Sequence, residues 1–352
     1  QISSNTKPTA YCSFKNSVSV FNSPSPNYSL KDIKRLIEVH YGFKVQAMVL
    51  NSERDQNFLC NTGEKKYVLK ISNPDEDRAI LEMQNACIQY IHDHDPDLKI
   101  PLIIADEKGN VINTFEKDGK NFLARLVKYV PGHFLKDVAQ HKNMLYESGL
   151  FLGRLRNAMN GFDHPAGHRD FPWDVANVDF IKEHKHFLNS KKGIVDHFID
   201  QYEQIVLPIT SKLRKALIHN DGNDHNVLVN EHGETCGIID FGDMVYTYIA
   251  CEPAVCMAYV ALDKEEPLEP IAQVLKGFHE KFPLIHDELL AVIYLVCMRS
   301  CITVTMAAYR KQLFPDNKYI SVTENQAWDF LKKMQNENLN KWSVQLVEYA
   351  ES

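Results

Sequence analysis

A chain of 352 residues, 44% hydrophobic and 24% charged, is long enough for two domains or one large bilobal one. Its formal net charge of -7 argues against nucleic acid as a partner, which calls for a basic surface. Its apolar runs fall short of the roughly 18 residues of a membrane helix, with Arg299 cutting short the run Val292 to Val296, so no membrane partner is expected.

Residues 1 to 27 are rich in Ser, Asn and Pro and read as a flexible tail. The tail starts at Gln1 with no apolar signal core behind it, which fits a trimmed start and leaves fusion to further domains open. Ser29 is placed to cap a short helix with Leu30, Ile33, Leu36 and Ile37 on one face. Strands are expected over Lys44 to Leu50, Phe58 to Cys60 and Lys66 to Ile71. Ser72-Asn73-Pro74 then reads as a helix start, followed by the stripe Ile80, Met83, Cys87 and Ile91. His92-Asp93-His94-Asp95, just before Pro96, reads as a solvated helix end rather than a metal site.

Two further strands, Pro101 to Ala105 and Asn121 to Tyr129, precede Pro131-Gly132, the expected lobe boundary. Residues 28–130 thus form a first lobe and 131–352 a second, mainly helical one. The second has a stripe at Leu145, Leu152, Leu155 and Met159 and a helical stretch from Phe180 to Gln204. Short strands at Ala216 to Ile218, Val227 to Val229 and Thr235 to Ile239 bracket polar loops. Strands with one helix, then helices with a small hairpin, define an α+β protein of two lobes. The eight cysteines form no C-x-x-C pair and sit mostly in apolar runs. They read as reduced core thiols, and the expected location is cytoplasmic.

The polar loops carry the chemistry. His219-Asn220-Asp221-Gly222-Asn223-Asp224-His225-Asn226 is followed, fourteen residues after Asn226, by Asp240-Phe241-Gly242-Asp243. Asp221, between two apolar runs, suits a general base for an attacking hydroxyl. Asn226 and Asp240 offer hard oxygen donors to Mg²⁺. His219 suits orienting the loop or a direct catalytic role. Upstream, Lys70 ends the run Tyr67-Val68-Leu69-Lys70, and Glu82 lies twelve residues on. An inward Lys on a strand paired with a Glu on the adjacent helix is a clamp for nucleotide phosphates. The intervening loop, Ser52 to Asn57, has no glycine, so Ser52 and backbone N–H groups are left to cover the phosphates.

These residues resemble the aminoglycoside phosphotransferase and choline kinase superfamily, which has a protein-kinase-like fold. Within it, the segments Asp55-Gln56-Asn57-Phe58, Tyr67 to Asn73, Asn223 to Asn226, Asp240 to Met244 and Met306 to Tyr309 look most like hydroxylysine kinases and kinase modules fused to class III aminotransferases. The resemblance implies a bilobal fold, with an antiparallel sheet and helix in the smaller lobe. It implies ATP or GTP as donor, Mg²⁺ held by Asn226 and Asp240, Asp221 as base, and Lys70 with Glu82 on the phosphates. Leu126 to Val130, with Val127 and Tyr129, becomes the purine hinge. Asn220 stands where the family usually has Gly.

For the acceptor, Asp243, Glu252, Arg169, Trp173 and Arg299 are candidates, an acid for an ammonium and an Arg for a carboxylate. The reading is a small-molecule kinase acting on the hydroxyl of an amino alcohol or hydroxy amino acid, hydroxylysine first. An aminoglycoside- or choline-type kinase is the alternative. Against it, Tyr246, Tyr248 and Glu252 follow Asp243 without an acidic cluster. A catalytically idle module of a fused enzyme is the third reading, and no base or metal ligand is lost.

Overall fold

The computed structural model describes residues 25–52, 54–314 and 323–352; most of the expected tail, Cys12, Glu53 and Pro315 lie outside the described residues. The first helix, α1 (Leu30–Tyr41), begins as expected. Ser29 accepts from the Asp32 N–H while Asp32 reaches back to the Ser29 N–H, a reciprocal capping box. Strands β1 (Gln46–Leu50), β2 (Gln56–Asn61), β3 (Lys66–Ile71), β4 (Ile103–Ile104), β5 (Asn113–Lys117) and β6 (Lys120–Lys128) form one antiparallel sheet. Its order is β1-β2-β3-β6-β4, and β5 also pairs with β6. Side-chain alternation divides β3 between two tasks. Leu69 and Ile71 are buried with Ile33 and Ile37 of α1, while Val68 and Lys70 turn to the interlobe cleft.

Helix α2 starts at Arg78, later than the sequence suggests, and runs to His94. Asn73 explains the delay. Its N–H goes to the Asp55 carboxylate at 3.0 Å, its amide oxygen accepts from Asp75 N–H, and its C=O accepts from Glu76 N–H. These bonds close a turn that competes with helix, and Asp77 then caps the Ala79 N–H. The stripe Ile80, Met83, Cys87 and Ile91 is buried in the large core of the second lobe, so α2 is the seam between lobes. A fork from Arg154 to both Asp95 oxygens, each at 2.6 Å, pins the end of that seam.

Beyond Gly132, β7 (His133–Phe134) joins β9 (Val227–Val229) and β10 (Thr235–Ile238) in a second sheet, and β8 (Lys215–Ile218) pairs with β11 (Val245–Tyr248). The helices are α3 (Lys142–Ala158), α4 (Val178–His184), α5 (Lys192–Gln201), α6 (Cys251–Val260), α7 (Leu268–Lys281), α8 (His286–Leu313), α9 (Glu324–Met334) and α10 (Leu339–Glu351). The helical stretch expected from Phe180 to Gln204 is broken at Asn189, whose φ of 52° and ψ of -124° leave helical space. Helices α3 and α7 touch backbone to backbone: a Cβ on Gly149 would lie 2.1 Å from Val274 O, and one on Gly277 2.1 Å from Tyr146 O. Helix α8 is long and apolar enough to cross a membrane by composition, but its most apolar window is 94% buried inside the lobe. It runs straight through Arg299, which the sequence presents as an interruption. The seven described cysteines are free, and all but Cys236 are buried.

Candidate active site

The lobes enclose a cleft of about 650 Å³. Ser52, Lys70, Val127 and Tyr129 line it from the first lobe, and Trp173, Asp221, Asn226, Asp240, Asp243 and Arg299 from the second. Strand β8 ends at Ile218 and β9 begins at Val227, so both strands deliver the Asp221 loop to the cleft. Asp221 is held by three donors. Asn223 Nδ2 at 2.7 Å and Arg299 Nη2 at 3.2 Å reach Oδ1, and Asn226 Nδ2 reaches Oδ2 at 2.6 Å. Burial and the neighbouring Asp243 carboxylate push its pKa well above the usual carboxylate range, and Arg299 pulls it back. A carboxylate so placed is oriented and inclined to take up a proton.

His219 belongs beneath this loop, not in the cleft. It is fully buried; Nδ1 accepts from the Asp221 N–H at 3.2 Å and Nε2 faces Ile239 O at 3.2 Å. Burial lowers its pKa to about 4, so the ring is neutral and positions Asp221. Glu252, a candidate for the acceptor, is also fully buried, and its Oε2 accepts from His219 N–H at 2.7 Å. It props the catalytic loop and is closed to substrate. Burial raises its pKa from 4.5 to about 7. The folded state therefore binds the Glu252 proton first as pH falls, and stability tied to this group rises from pH 7 toward 4.5 and is lost as pH rises. In Glu252→Gln that gain is absent. The stability deficit of the variant against wild type should widen by about 2 kcal/mol between about pH 8 and 5.5, read from denaturant midpoints. A pH-independent difference would show a carboxyl with an ordinary pKa.

Lys70 reaches across the cleft to Asp240 Oδ1 at 2.9 Å. Burial tends to raise the Asp240 carboxyl, but Lys70 and the more distant Arg54 outweigh it and hold the group below its usual range. The expected Lys70–Glu82 pair is not formed. Glu82 points to solvent and bonds Arg78 one helical turn back at 2.9 Å. The α2 residues facing the cleft are Gln84, two positions on and about 200° around the helix, and Ile88 one turn further. Gln84 and Asn85 bind the guanidinium of Arg125, which lies opposite Lys70 on β6. Arg125 is a cleft residue that sequence reading missed, though a charge inside the apolar run Phe122 to Val127 was its signal. Asn226 gives its amide nitrogen to Asp221, which leaves its oxygen, with the Asp240 carboxylate, as donor for a cation. One carboxylate and one amide oxygen suit Mg²⁺, which keeps places for water and phosphate oxygens.

On the acceptor side, Arg299 is 2% exposed and lies over the Trp173 ring at 4.6 Å and the Tyr259 ring at 5.7 Å, donating to Trp173 O at 3.1 Å. Arg310, three turns along α8, lines the same cleft and was also missed. Arg169 does not line it; its guanidinium binds the carbonyls of Gly242 and Met244 and lies 4.0 Å over Phe171. It braces the Asp240 loop rather than meeting substrate. Asn220 has a φ of 63°, the left-handed region that Gly enters freely and that Asn tolerates best among other residues. Its amide bonds Trp173 O and Asp243 O, both at 3.2 Å, and ties the acceptor wall to the catalytic loop.

A buried carboxylate inclined to take up a proton, a cleft-facing Lys and oxygen donors between two lobes are the parts of a phosphotransferase site. The family described as "Phosphotransferase enzyme family" matches residues 47–287, and the chain belongs to it. It is 32% identical over 340 residues to the hydroxylysine kinase of Mus musculus, covering 89% of this chain and 90% of that one. The fold is similar to a microcompartment-associated aminopropanol kinase at a TM-score of 0.72 and 15% identity, over 89% of this chain and 99% of that one. It is also similar to an amicoumacin kinase solved with AMP-PNP and Ca²⁺, at a TM-score of 0.69 and 15% identity, over 89% and 97%. The protein is a small-molecule kinase with a hydroxyl as acceptor.

Proposed function

We propose that this kinase phosphorylates a hydroxy amino acid, hydroxylysine first, with ATP or GTP as donor. The observation that carries this reading is the acceptor end of the cleft. Arg299 and Arg310 both line the cleft from α8. Guanidinium groups suit a carboxylate, which amino acids have and choline, aminopropanol and aminoglycosides lack. Asp243, on the same wall, suits an ammonium. Likeness to the mouse hydroxylysine kinase supports the same acceptor.

Asn226 and Asp240 would hold Mg²⁺, which neutralises phosphate charge when bound. Lys70 meets the phosphates, with Ser52 above them and the purine against Val127 and Tyr129. The acceptor oxygen forms a bond to the γ-phosphorus as the bond to the β,γ-bridging oxygen breaks. The nucleoside diphosphate leaves with that electron pair, and the hydroxyl proton passes to Asp221. Turnover of ATP and GTP with hydroxylysine, aminopropanol, choline and an aminoglycoside tests the assignment. Hydroxylysine should exceed the others by at least about tenfold in kcat/KM, one charged contact's worth of discrimination. Equal or better use of aminopropanol, which has no carboxylate, overturns it.

A further inference from the structure

Between β1 and β2 the chain carries no glycine; Asn51 and Ser52 line the cleft, and Arg54 crosses to the opposite lobe behind them. Arg54 Nη2 lies 2.7 Å from Asp243 Oδ1, with only 20% and 11% of the two side chains exposed. The same nitrogen comes within 3.7 Å of the position a Cβ on Gly242 would take, beside the backbone that follows Asp240. Its charge is felt at Asp240, and the Asp243 it binds is the carboxylate that most perturbs Asp221. Arg54 therefore stands against Asp243 and the backbone after Asp240, and Asp243 is its link to Asp221. The next residue fixes its root, since Asp55 accepts the Asn73 N–H at the end of β3.

We propose that Arg54 is a catalytic residue that binds the transferred phosphoryl group, and that Asp243 holds it in reach of that group while the cleft is empty. The proposal rests on the kinase reading above but not on any particular acceptor. A planar guanidinium matches phosphate oxygens with paired N–H donors. Arriving phosphates bring more negative charge to this point than the single Asp243 carboxylate. Charge shared over the γ-phosphoryl oxygens during transfer is what a fixed cation stabilises. A loop without glycine thus contributes a side chain where glycine-rich loops contribute backbone. Lys70 enters from β3 and meets Asp240 Oδ1, whereas Arg54 meets Asp243 Oδ1, so the two cations are held at different carboxylates.

Binding measurements on the whole chain separate this role from that of a cross-lobe tie. With Mg²⁺ present, wild type and Arg54→Gln are titrated with a non-hydrolysable nucleoside triphosphate and with the matching diphosphate. Expected is a loss of about tenfold or more for the triphosphate, with the diphosphate changed less than about threefold, since only the former carries the γ-phosphoryl group. Equal losses for both, or none, overturn the proposal whatever the acceptor proves to be. In turnover, Arg54→Gln should cost roughly 10²–10³ in kcat, and Arg54→Lys should recover part of it. Asp243→Asn supplies the second check. If Arg54 serves only to tie the lobes through Asp243, adding Arg54→Gln to Asp243→Asn costs nothing more. A further loss of tenfold or more in the double variant supports contact with phosphate. Because Arg54→Gln leaves the Asp243 carboxylate without its partner, its melting temperature should fall, and turnover and binding are therefore compared at a temperature where circular dichroism shows both proteins folded.

Discussion

Asp221→Asn should lower turnover by roughly 10²–10⁴ while leaving nucleotide affinity within a few-fold. The variant keeps the volume of the side chain and removes its capacity to take a proton. The geometry adds a second cost. Asp221 accepts from Asn223 and Arg299 on one oxygen and from Asn226 on the other. An amide at this position has a single acceptor, so it faces at least one of those donors with a donor of its own. If its oxygen serves Asn223 and Arg299, its nitrogen meets Asn226 Nδ2, and Asn226 is driven to turn its oxygen inward. That oxygen is the one assigned to the cation. Loss of turnover should therefore be accompanied by a raised Mg²⁺ requirement, and excess Mg²⁺ should restore binding without restoring rate. Wild-type turnover in this variant would remove Asp221 from the role of base.

That the two polar loops converge on one cleft was legible in sequence, because the pattern depends on short spacings within continuous segments. Asp221, Asn226 and Asp240 meet because each sits within a few residues of a short strand, and those strands were visible as apolar runs. Lys70 was legible for the same reason, since strand alternation decides which way it faces. What sequence did not separate was the layer in which a polar residue sits. Glu252 and Arg169 carry charges suited to a substrate, yet one supports the His219 backbone and the other the carbonyls after Asp240. Both are ordinary consequences of building loops inside a protein, where buried N–H and C=O groups need partners. A spacing cannot tell such a partner from a residue that meets substrate. Strand β5 was missed although its signal was present. Asp118 and Gly119, with φ of 53° and 72°, make the two-residue turn that joins β5 to β6, and Asp-Gly is a strong marker of that turn. Asn220 is the opposite case: the resemblance marks it as a departure from Gly, yet its φ of 63° is one that Gly adopts freely.

Lys70→Met and Glu82→Gln should have opposite fates, although the kinase pattern pairs the two residues. Glu82 is half exposed and bonded to Arg78 in an i,i+4 surface pair. Such pairs contribute about 0.3–0.5 kcal/mol, so Glu82→Gln should leave turnover within about twofold and stability nearly unchanged. Lys70 is 15% exposed and directed into the cleft, where Asp240 is its carboxylate partner. With Gln84 on the cleft face of α2, that helix supplies no charge to hold Lys70, and Asp240 takes over the task. The ammonium and the cation-binding carboxylate are thus linked before nucleotide arrives. Lys70→Met keeps most of the aliphatic stem and removes the charge. It should cost roughly 10²–10³ in kcat, as does loss of one preorganised donor at a developing charge, and it frees Asp240 from the neighbour that holds its proton off. Without the Lys70 charge and hydrogen bond the Asp240 pKa rises, so the residual activity of Lys70→Met should require a higher pH than wild type. Steady-state rates for both variants across pH decide the matter. A large loss in Glu82→Gln would restore the strand–helix ion pair as part of the working enzyme, and an unshifted pH profile in Lys70→Met would break the link between Lys70 and Asp240.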